Sequence, residues 1–284
     1  MKVLIIGSHG MLGTDLMRVL GSACDAVGLD LPDLDITQLD QCLAKLDEVR
    51  PDVLVNAAAF TRVDACETRE EEAYLVNGHG AGNLAQAAAA AGSLLVHYST
   101  DYVFDGQKRD PYREEDAPNP QSAYGKSKLL GETLIREHCS NHVILRTSWL
   151  FGFNGANFIR TIVDAAKKGA ALRVVNDQRG SPTYSRDLAV QTRIMIEAGC
   201  RGTYHATNGG SCTWYDLASN ALKWAGLGSV PVTPVTTSEF PRPAPRPANS
   251  VLENAHLKRE GLPLMRPWKL AVKEYVEQHL KSTP

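Results

Sequence analysis

Two residues one helical turn apart, Tyr124 and Lys128, have the side chain types and spacing that proton donation to a carbonyl requires. Residues at positions i and i+4 lie on the same face of a helix. A tyrosine phenol has a pKa of about 10, and a nearby ammonium group favours the phenolate and lowers that pKa. The segment SAYGKSK therefore predicts an activated tyrosine, with a lysine that can also hold the ribose hydroxyls of a nicotinamide cofactor.

The same segment contains Gly125-Lys126-Ser127, which resembles the end of a phosphate-binding P-loop. In the pattern G-x-x-x-x-G-K-[ST], the first glycine would stand at position 120, but that residue is Pro120. The segment also follows a polar loop rich in proline, where a P-loop follows a strand. The sequence therefore predicts no phosphate site at this helix.

A glycine-rich turn near the start of the chain is the better phosphate site. Gly7, Gly10 and Gly13 follow the apolar run KVLII and precede a helical pattern. Glycines permit a sharp turn and close approach of a pyrophosphate, and the helix N-terminus supplies free N–H groups and a positive dipole end. The position of this G-x-x-G-x-x-G turn, between strand and helix, predicts a dinucleotide site.

An acidic residue at the end of the second predicted strand indicates which cofactor binds. Asp30 lies 23 residues beyond Gly7, and no Lys or Arg occurs between Arg18 and Lys45. An acid at this distance accepts hydrogen bonds from the adenosine ribose and repels a 2′-phosphate. The sequence therefore favours NADH over NADPH, with Asp33 and Asp35 as alternative acids.

Short apolar runs alternate with longer helical patterns through the first half of the chain. This alternation predicts an α/β fold, with a Rossmann-type doubly wound parallel sheet covered on both faces. The second half is less regular and predicts a smaller C-terminal α/β substrate-binding domain. We assign residues 1–150 to the dinucleotide-binding domain, to which later segments return, and residues 151–284 mainly to the substrate-binding domain. The run HVILRTSWLFG is predicted as one strand, and Trp214, Trp224 and Trp268 as core residues.

Composition excludes several classes of partner. The net charge of −2 gives no electrostatic reason to expect nucleic acid or an acidic membrane surface. The first apolar run holds four residues before Gly7, whereas a signal peptide needs roughly 7–15. The six scattered cysteines form no C-x-x-C pair and are expected to be reduced thiols. We expect a cytoplasmic protein.

Four motifs in order, GSHGMLG, NAAA, STD and Y-x-x-x-K, resemble those of the extended short-chain dehydrogenases/reductases. The stretches VHYSTDYVFDG, RTSWLFG and VVNDQRGSPT are most similar to the members that reduce dTDP-4-dehydro-L-rhamnose to dTDP-L-rhamnose. The resemblance implies that Tyr124 is the proton donor, that Lys128 lowers its pKa and binds the nicotinamide ribose, and that Thr100 lies by the carbonyl oxygen. It implies a cofactor site at Gly7, Gly10, Met11, Leu12, Gly13, Asp30, Asp35, Ile36, Ala57, Ala59, Phe60, Thr61, Tyr124 and Lys128, and a sugar site at Thr100, Asp101, Tyr102 and Trp149.

Other readings stay open at this point. A nucleotide-sugar dehydratase on this fold usually has glutamate where Tyr102 follows Asp101, and a non-catalytic NAD(P)-binding subunit would not need Tyr124. Phe60 and Arg62 depart from the family pattern, so the preferred nucleotide sugar stays open. Some members dimerise around magnesium held by carboxylates. Asp15 matches one such position, but no full set can be traced, so we predict no metal and leave a homodimer open.

Overall fold

The computed structural model describes residues 1–281. Its principal sheet has six parallel strands in the order β2, β1, β3, β4, β5, β10. The strands of the structure are β1 (Lys2–Ile6), β2 (Asp25–Leu29), β3 (Val53–Asn56), β4 (Leu94–Thr100), β5 (His142–Thr147), β6 (Leu150–Phe151), β7 (Leu172–Val175), β8 (Arg179–Gly180), β9 (Thr183–Tyr184), β10 (Gly202–His205), β11 (Cys212–Thr213) and β12 (Val232–Val235). The helices are α1 (Met11–Gly21), α2 (Leu39–Val49), α3 (Val63–Cys66), α4 (Glu70–Ala73), α5 (Ala81–Ala91), α6 (Ala123–His138), α7 (Phe158–Lys167), α8 (Ser185–Glu197), α9 (Trp214–Trp224), α10 (Ala255–Arg259) and α11 (Trp268–His279).

The strand order confirms the predicted doubly wound fold. The chain leaves β1 toward β2 on one side and then crosses to β3 on the other side. Ligands of such sheets bind in the crevice at the carboxyl ends of the strands, where this reversal occurs. The carboxyl ends of β1 and β3 are therefore the expected site, and the glycine-rich turn follows β1 there.

Both faces of the sheet are covered, which explains the almost unbroken apolar runs of its central strands. Alternate residues of β1 face opposite layers, with Ile5 packed among residues of α1 and α8 and Leu4 among residues of α2 and α5. Side chains in a strand point alternately to the two faces, so a strand buried on both sides must be apolar throughout. Residues of α8 and β10 belong to the same core as Ile5 and α1, and β10 is a strand of the main sheet. The second half of the chain therefore contributes to this sheet.

A second core lies outside the main sheet. It is formed mainly by α7, α9 and α11 around buried aromatic residues that include Phe151, Tyr184 and Tyr275. A small parallel pair, β7 and β12, lies beside it. The proline-rich loop that follows runs back to the first half, where the amide of Asn249 donates to the carbonyl of Lys108 at 2.8 Å. This loop joins the two cores.

Two elements differ from the sequence prediction. The single strand predicted over HVILRTSWLFG is wrong, because Trp149 adopts a left-handed conformation with φ of 47°. The chain turns there, and β6 pairs with β9 instead of continuing β5. The long helix before β4 contains a π-helical turn over Tyr74–Gly80, between α4 and α5. Among residues 1–281, no helix is long and apolar enough to cross a membrane.

Candidate active site

The glycine-rich turn forms one end of a groove at the carboxyl ends of β1 and β3. Gly7 has φ of +79°, and a Cβ atom added there would lie 2.7 Å from the backbone nitrogen of Ala58. A side chain at this position would fill the cradle through which a phosphate must approach the backbone. Gly10 precedes α1 without a side-chain cap, so the first amides of α1 face the groove's end with a positive dipole. These features fit a dinucleotide.

The groove has a volume of about 300 Å³ and is lined by several of the predicted cofactor residues. Asp30 lies on its rim, where its carboxylate accepts from the backbone amides of His9 at 3.1 Å and Leu31 at 3.0 Å. The predicted residues that line the groove are Gly7, Gly10, Asp30, Asp35, Ile36, Ala57, Ala59 and Phe60.

Six predicted cofactor residues lie outside the lining of this groove, namely Tyr124 and Lys128 of α6 and four residues that follow β1 or β3. Gly13 packs against the carbonyl of Gly7 and tightens the turn. Leu12 is buried in the core between α1 and the sheet, so its side chain faces away from the groove. Met11 lies toward Gly152, and Thr61 is exposed beyond the groove. None of these four residues lines the groove.

Tyr124 lies in the first turn of α6 and packs in one cluster with Phe60, which lines the groove, and against Tyr102, which lines a second cavity. Ser122 caps this helix by accepting from the amide of Gly125 at 3.1 Å. The Tyr124 ring packs edge-on to Tyr102, with ring centroids 5.6 Å apart. A Cβ atom at Gly125 would overlap the carbonyl of Tyr102, so a residue larger than glycine does not fit beside the tyrosine. The tyrosine is thus fixed by its helix and by the turn that follows β4.

The pKa of Tyr124 is raised, first by burial and then by the charge of Asp101, while a hydrogen bond to Thr100 opposes the shift. Lys128 is not among the groups that shift the pKa of Tyr124 in this structure, and its predicted effect on the bound state stays a prediction. The Nζ atom of Lys128 donates to the carbonyl of Tyr98 at 2.6 Å and lies 3.1 Å from Nε2 of His97. The phenol is therefore held in its protonated form, which is the form that an acid must have before it donates.

Thr100 and Asp101 form a buried polar pair at the end of β4. The hydroxyl of Thr100 donates to Oδ1 of Asp101 at 3.0 Å. Burial raises the pKa of Asp101 to about 6, against hydrogen bonds from Ser250 and Thr100. The carboxyl group fixes the direction of the Thr100 hydroxyl, so the hydroxyl's oxygen and Tyr124 are presented to the same space.

The π-helical turn ties the groove to the tyrosine. Asn77, buried in that turn, holds the backbone of Phe60 through both its amide atoms, at 2.8 and 3.0 Å. Its nitrogen also donates to Ser127 at 3.1 Å, and Ser127 donates to the carbonyl of Tyr124 at 2.8 Å. The sequence did not indicate a role for Asn77, because a π-helical turn leaves no recognisable pattern in a single sequence.

A second cavity of about 730 Å³ opens on the other side of Tyr102. Trp149 stacks on Trp214 with ring centroids 3.5 Å apart, and Trp214 lines the cavity, so the prediction of Trp214 as a core residue is wrong. Arg173, Arg242 and Arg246 also line it. Guanidinium groups match the geometry of phosphate oxygens, and an indole presents a flat apolar face. The cavity suits a negatively charged ligand that carries rings.

A buried ionic cluster supports α6 from below. Glu132 accepts from Arg146 at 2.7 and 2.9 Å, from Arg136 at 2.7 Å and from Ser99 at 2.6 Å. Burial alone would raise the pKa of Glu132, but the hydrogen bonds and charge of Arg146 hold it at about 2. This cluster fixes α6, which carries Tyr124, to β4, which carries Thr100, and to the neighbouring strand β5.

Two acidic positions bear on metal binding. Asp15 is buried and accepts a hydrogen bond from the hydroxyl of Ser185, which joins α1 to α8. Glu114, Glu115 and His256 bring carboxylate and imidazole groups together, although the histidine lies far along the chain. Both ring nitrogens of His256 already have partners, the carbonyl of Thr203 at 2.9 Å and Glu115 at 2.7 Å. Sequence spacing gave no sign of this cluster.

The parallel sheet, the glycine-rich turn at its switch point and the tyrosine helix beside it define the class of extended short-chain dehydrogenases/reductases. Within that class, the family model described as the RmlD substrate binding domain matches residues 1–281, and the chain belongs to this family. It is 40% identical to dTDP-4-dehydrorhamnose reductase of Burkholderia thailandensis, over 96% of this chain and 97% of that protein.

Two further relatives are of similar extent. The chain is 42% identical to a probable dTDP-4,6-dihydroxy-2-methyloxan-3-one 4-ketoreductase of Streptomyces antibioticus, over 96% of this chain and 94% of that protein. The solved structure of dTDP-4-dehydrorhamnose reductase from Bacillus anthracis, in complex with NADP, has a TM-score of 0.95 and 37% identity. The alignment with this structure covers 98% of this chain and 99% of the Bacillus anthracis chain.

Proposed function

We propose that this protein reduces the C4 keto group of dTDP-4-dehydro-L-rhamnose to give dTDP-L-rhamnose, with a nicotinamide dinucleotide as the reductant. The observation that carries the proposal is the position of Tyr124, with a protonated phenol. It packs with Phe60, which lines a groove that fits a dinucleotide, and with Tyr102, which lines a cavity that also contains arginine and tryptophan. Near full-length similarity to proteins named for this reaction supports it.

In this proposal the groove holds the cofactor and the cavity holds the sugar nucleotide. The Gly7 cradle and the amides of α1 would bind the pyrophosphate, and Asp30 would accept from the adenosine ribose. Arg242 and Arg246 would face the diphosphate of the sugar nucleotide. Trp149 and Trp214 would provide a flat apolar wall for the sugar or base.

Bound nicotinamide supplies the hydride that reduces the ketone. Tyr124 donates its phenolic proton to the C4 oxygen as negative charge develops there. Thr100 would offer a second hydrogen bond to the same oxygen by turning the hydroxyl proton that it donates to Asp101 in this structure. Tyr124, which is fixed by its helix, needs no such turn, and a donor fixed in advance stabilises the developing charge because it need not reorient. Asn77 and the Glu132 cluster keep these groups in register.

A second candidate is reduction of another dTDP-4-keto sugar. It is favoured by the Streptomyces antibioticus relative, which is named for a different 4-ketoreductase. Phe60 and Arg62 also depart from the family pattern beside the site, and Phe60 packs under the guanidinium of Arg69 at 5.2 Å. The chemistry at C4 is the same in both cases, so the choice depends on contacts with the rest of the sugar.

The test is a coupled assay with dTDP-4-dehydro-L-rhamnose. We expect one equivalent of NADH or NADPH to be oxidised for each ketone reduced, with dTDP-L-rhamnose as the product. A dehydratase, an epimerase or a non-catalytic subunit gives no net oxidation of the cofactor, so the absence of oxidation contradicts the proposal. A parallel assay with other dTDP-4-keto-6-deoxy sugars distinguishes the second candidate by its higher kcat/KM.

We further propose that the protein prefers NADH to NADPH, and a substitution of Asp30 tests this preference. The Asp30→Ala substitution removes the carboxylate that would repel a 2′-phosphate. The ratio of kcat/KM with NADPH to that with NADH should rise on the order of tenfold, equivalent to about 1.4 kcal/mol. Asp33→Ala is the matched control, since Asp33 is exposed and does not line the groove. An unchanged ratio would mean that a residue other than Asp30 contacts the adenosine ribose. The solved structure of the Bacillus anthracis relative contains NADP.

A further inference from the structure

His97 lies in the middle of β4 and is buried, with 1% of its surface exposed. Its two ring nitrogens face two side chains that differ in what they can offer. Nδ1 lies 3.0 Å from the amide nitrogen of Asn56, and Nε2 lies 3.1 Å from Nζ of Lys128. The direction of these two hydrogen bonds fixes where the protons are.

The orientation of the Asn56 amide is set by the backbone. Oδ1 of Asn56 accepts from the backbone N–H of Ala58 at 3.1 Å. A backbone N–H can only donate, so the oxygen must face Ala58 and the NH₂ group must face His97. Asn56 therefore donates to Nδ1 of His97, which must be without a proton. A neutral imidazole carries one proton, and here it is on Nε2.

The proton on Nε2 points at Lys128. An ammonium group has three N–H donors and no acceptor, whereas a neutral amine has a lone pair. With Nε2–H as the donor, the contact at 3.1 Å is a hydrogen bond only when Lys128 is neutral. The amine can still donate to the carbonyl of Tyr98 at 2.6 Å. If Lys128 is charged, two donors face each other on one side of the ring. Either Nε2–H of His97 faces the ammonium group, or Nδ1–H of His97 faces the NH₂ group of Asn56.

We propose that His97 is a positioning residue, which holds Lys128 as a neutral amine by donating Nε2–H to Nζ, and that Lys128 takes up a proton when it turns to a ribose hydroxyl. The second part rests on the function proposed above. The proton comes from the solvent and forms the third N–H bond of the ammonium group, and no other bond is made or broken. The charge would then appear beside Tyr124 only when the ligand is in place.

The surroundings of Lys128 agree with this assignment. Burial lowers the pKa of Lys128 to about 8, and Glu132, one turn further along α6, opposes the shift. The charge of Glu132 is already engaged by Arg146 from β5 and Arg136 from α6, and by the hydroxyl of Ser99 from β4. Burial lowers the pKa of His97 well below its ordinary value, and a charge on Lys128 would lower it further, so the ring stays neutral.

The first test needs neither cofactor nor substrate. Long-range ¹H–¹⁵N NMR of ¹⁵N-labelled protein at pH 8.5 reports which ring nitrogen of each histidine carries the proton. The His97 signal is assigned by its loss in His97→Gln. We expect the Nε2–H tautomer. An Nδ1–H tautomer or a doubly protonated ring at this pH overturns the proposal, whatever reaction the protein catalyses.

The second test measures proton uptake on cofactor binding. Calorimetric titration with NADH, in two buffers with different enthalpies of ionisation, should give an uptake of about half to one proton per site at pH 8.5. At pH 6.5, where Lys128 is already charged, the uptake should be close to zero. His97→Gln should lower the uptake at pH 8.5, since an amide oxygen can accept from an ammonium group.

His79→Gln is the matched control, because His79 is exposed, and it should behave like the natural protein. Equal uptake at the two pH values, or the same uptake in His97→Gln, contradicts the proposal. Failure of NADH and NADPH to bind would contradict the proposed function, and the tautomer measurement would still decide the state of His97.

Discussion

The Tyr124→Phe variant should lose most of its turnover and keep its cofactor. The substitution removes the phenolic proton and leaves the ring, which packs edge-on to Tyr102. Positioned acid catalysis contributes on the order of 10²–10⁴ in rate, so kcat with the keto sugar should fall by about that factor. The dissociation constant for NADH, measured by fluorescence, should change by less than about threefold.

Tyr98→Phe is the matched control for this prediction. It makes the same chemical change two residues before Thr100, where the Tyr98 hydroxyl pairs with Thr192 at 2.7 Å on the side of α8. That variant should lose about 1 kcal/mol of stability and little turnover. A Tyr124→Phe variant that reduces the sugar at the natural rate would show that another group supplies the proton.

The largest loss of stability is expected for Glu132→Gln. The glutamate is fully buried and its main partner, Arg146, keeps 3% of its side-chain surface exposed. Without the carboxylate, a buried guanidinium has no counter-charge, and such losses cost about 3–5 kcal/mol. Urea unfolding should show a lower midpoint for Glu132→Gln. Glu48→Gln, which breaks the exposed pair of Lys45 and Glu48, should cost less than about 1 kcal/mol.

The effect of Glu132 on stability should depend on pH in a defined direction. Its pKa in the folded protein, about 2, is below the ordinary value of 4.5, so the unfolded chain binds the proton more readily. The carboxylate therefore stabilises the fold fully above pH 4.5, and this contribution is lost as the pH falls toward 2. The difference between natural protein and Glu132→Gln should shrink over that range. A difference that stays constant would mean that the charge of Glu132 contributes nothing.

Much of the fold could be predicted from the sequence because local patterns determine it. Buried parallel strands are apolar throughout, and the glycine-rich turn follows the first of them directly, so spacing alone located Gly7 and Asp30. The spacing of Tyr124 and Lys128 likewise predicted that both lie on one helix. The turn at Trp149 could not be predicted, since a left-handed backbone is rare for a tryptophan and its ring stacks on Trp214, which lies 65 residues further on.

The hydrogen-bonded network behind the site could not be predicted from the sequence for a related reason. Asn56, His97 and Lys128 come from two strands and a helix, and nothing in their spacing along the chain indicates that they meet. The direction of the Tyr124 pKa shift also depends on burial, which a sequence motif does not report. Motifs predicted which side chains do chemistry, whereas the protonation state of each depends on its neighbours in space.

The strand β10 makes the two halves of this chain inseparable. It forms the outer edge of the main sheet beside β5, and α8 covers α1. A polypeptide cut near residue 150 would leave β5, still paired with β4, as an open edge strand and the apolar side of α1 in water, and such edges promote aggregation. Recombination between relatives could exchange surface loops around the cavity, but residues 185–205 would have to be inherited together with the first half.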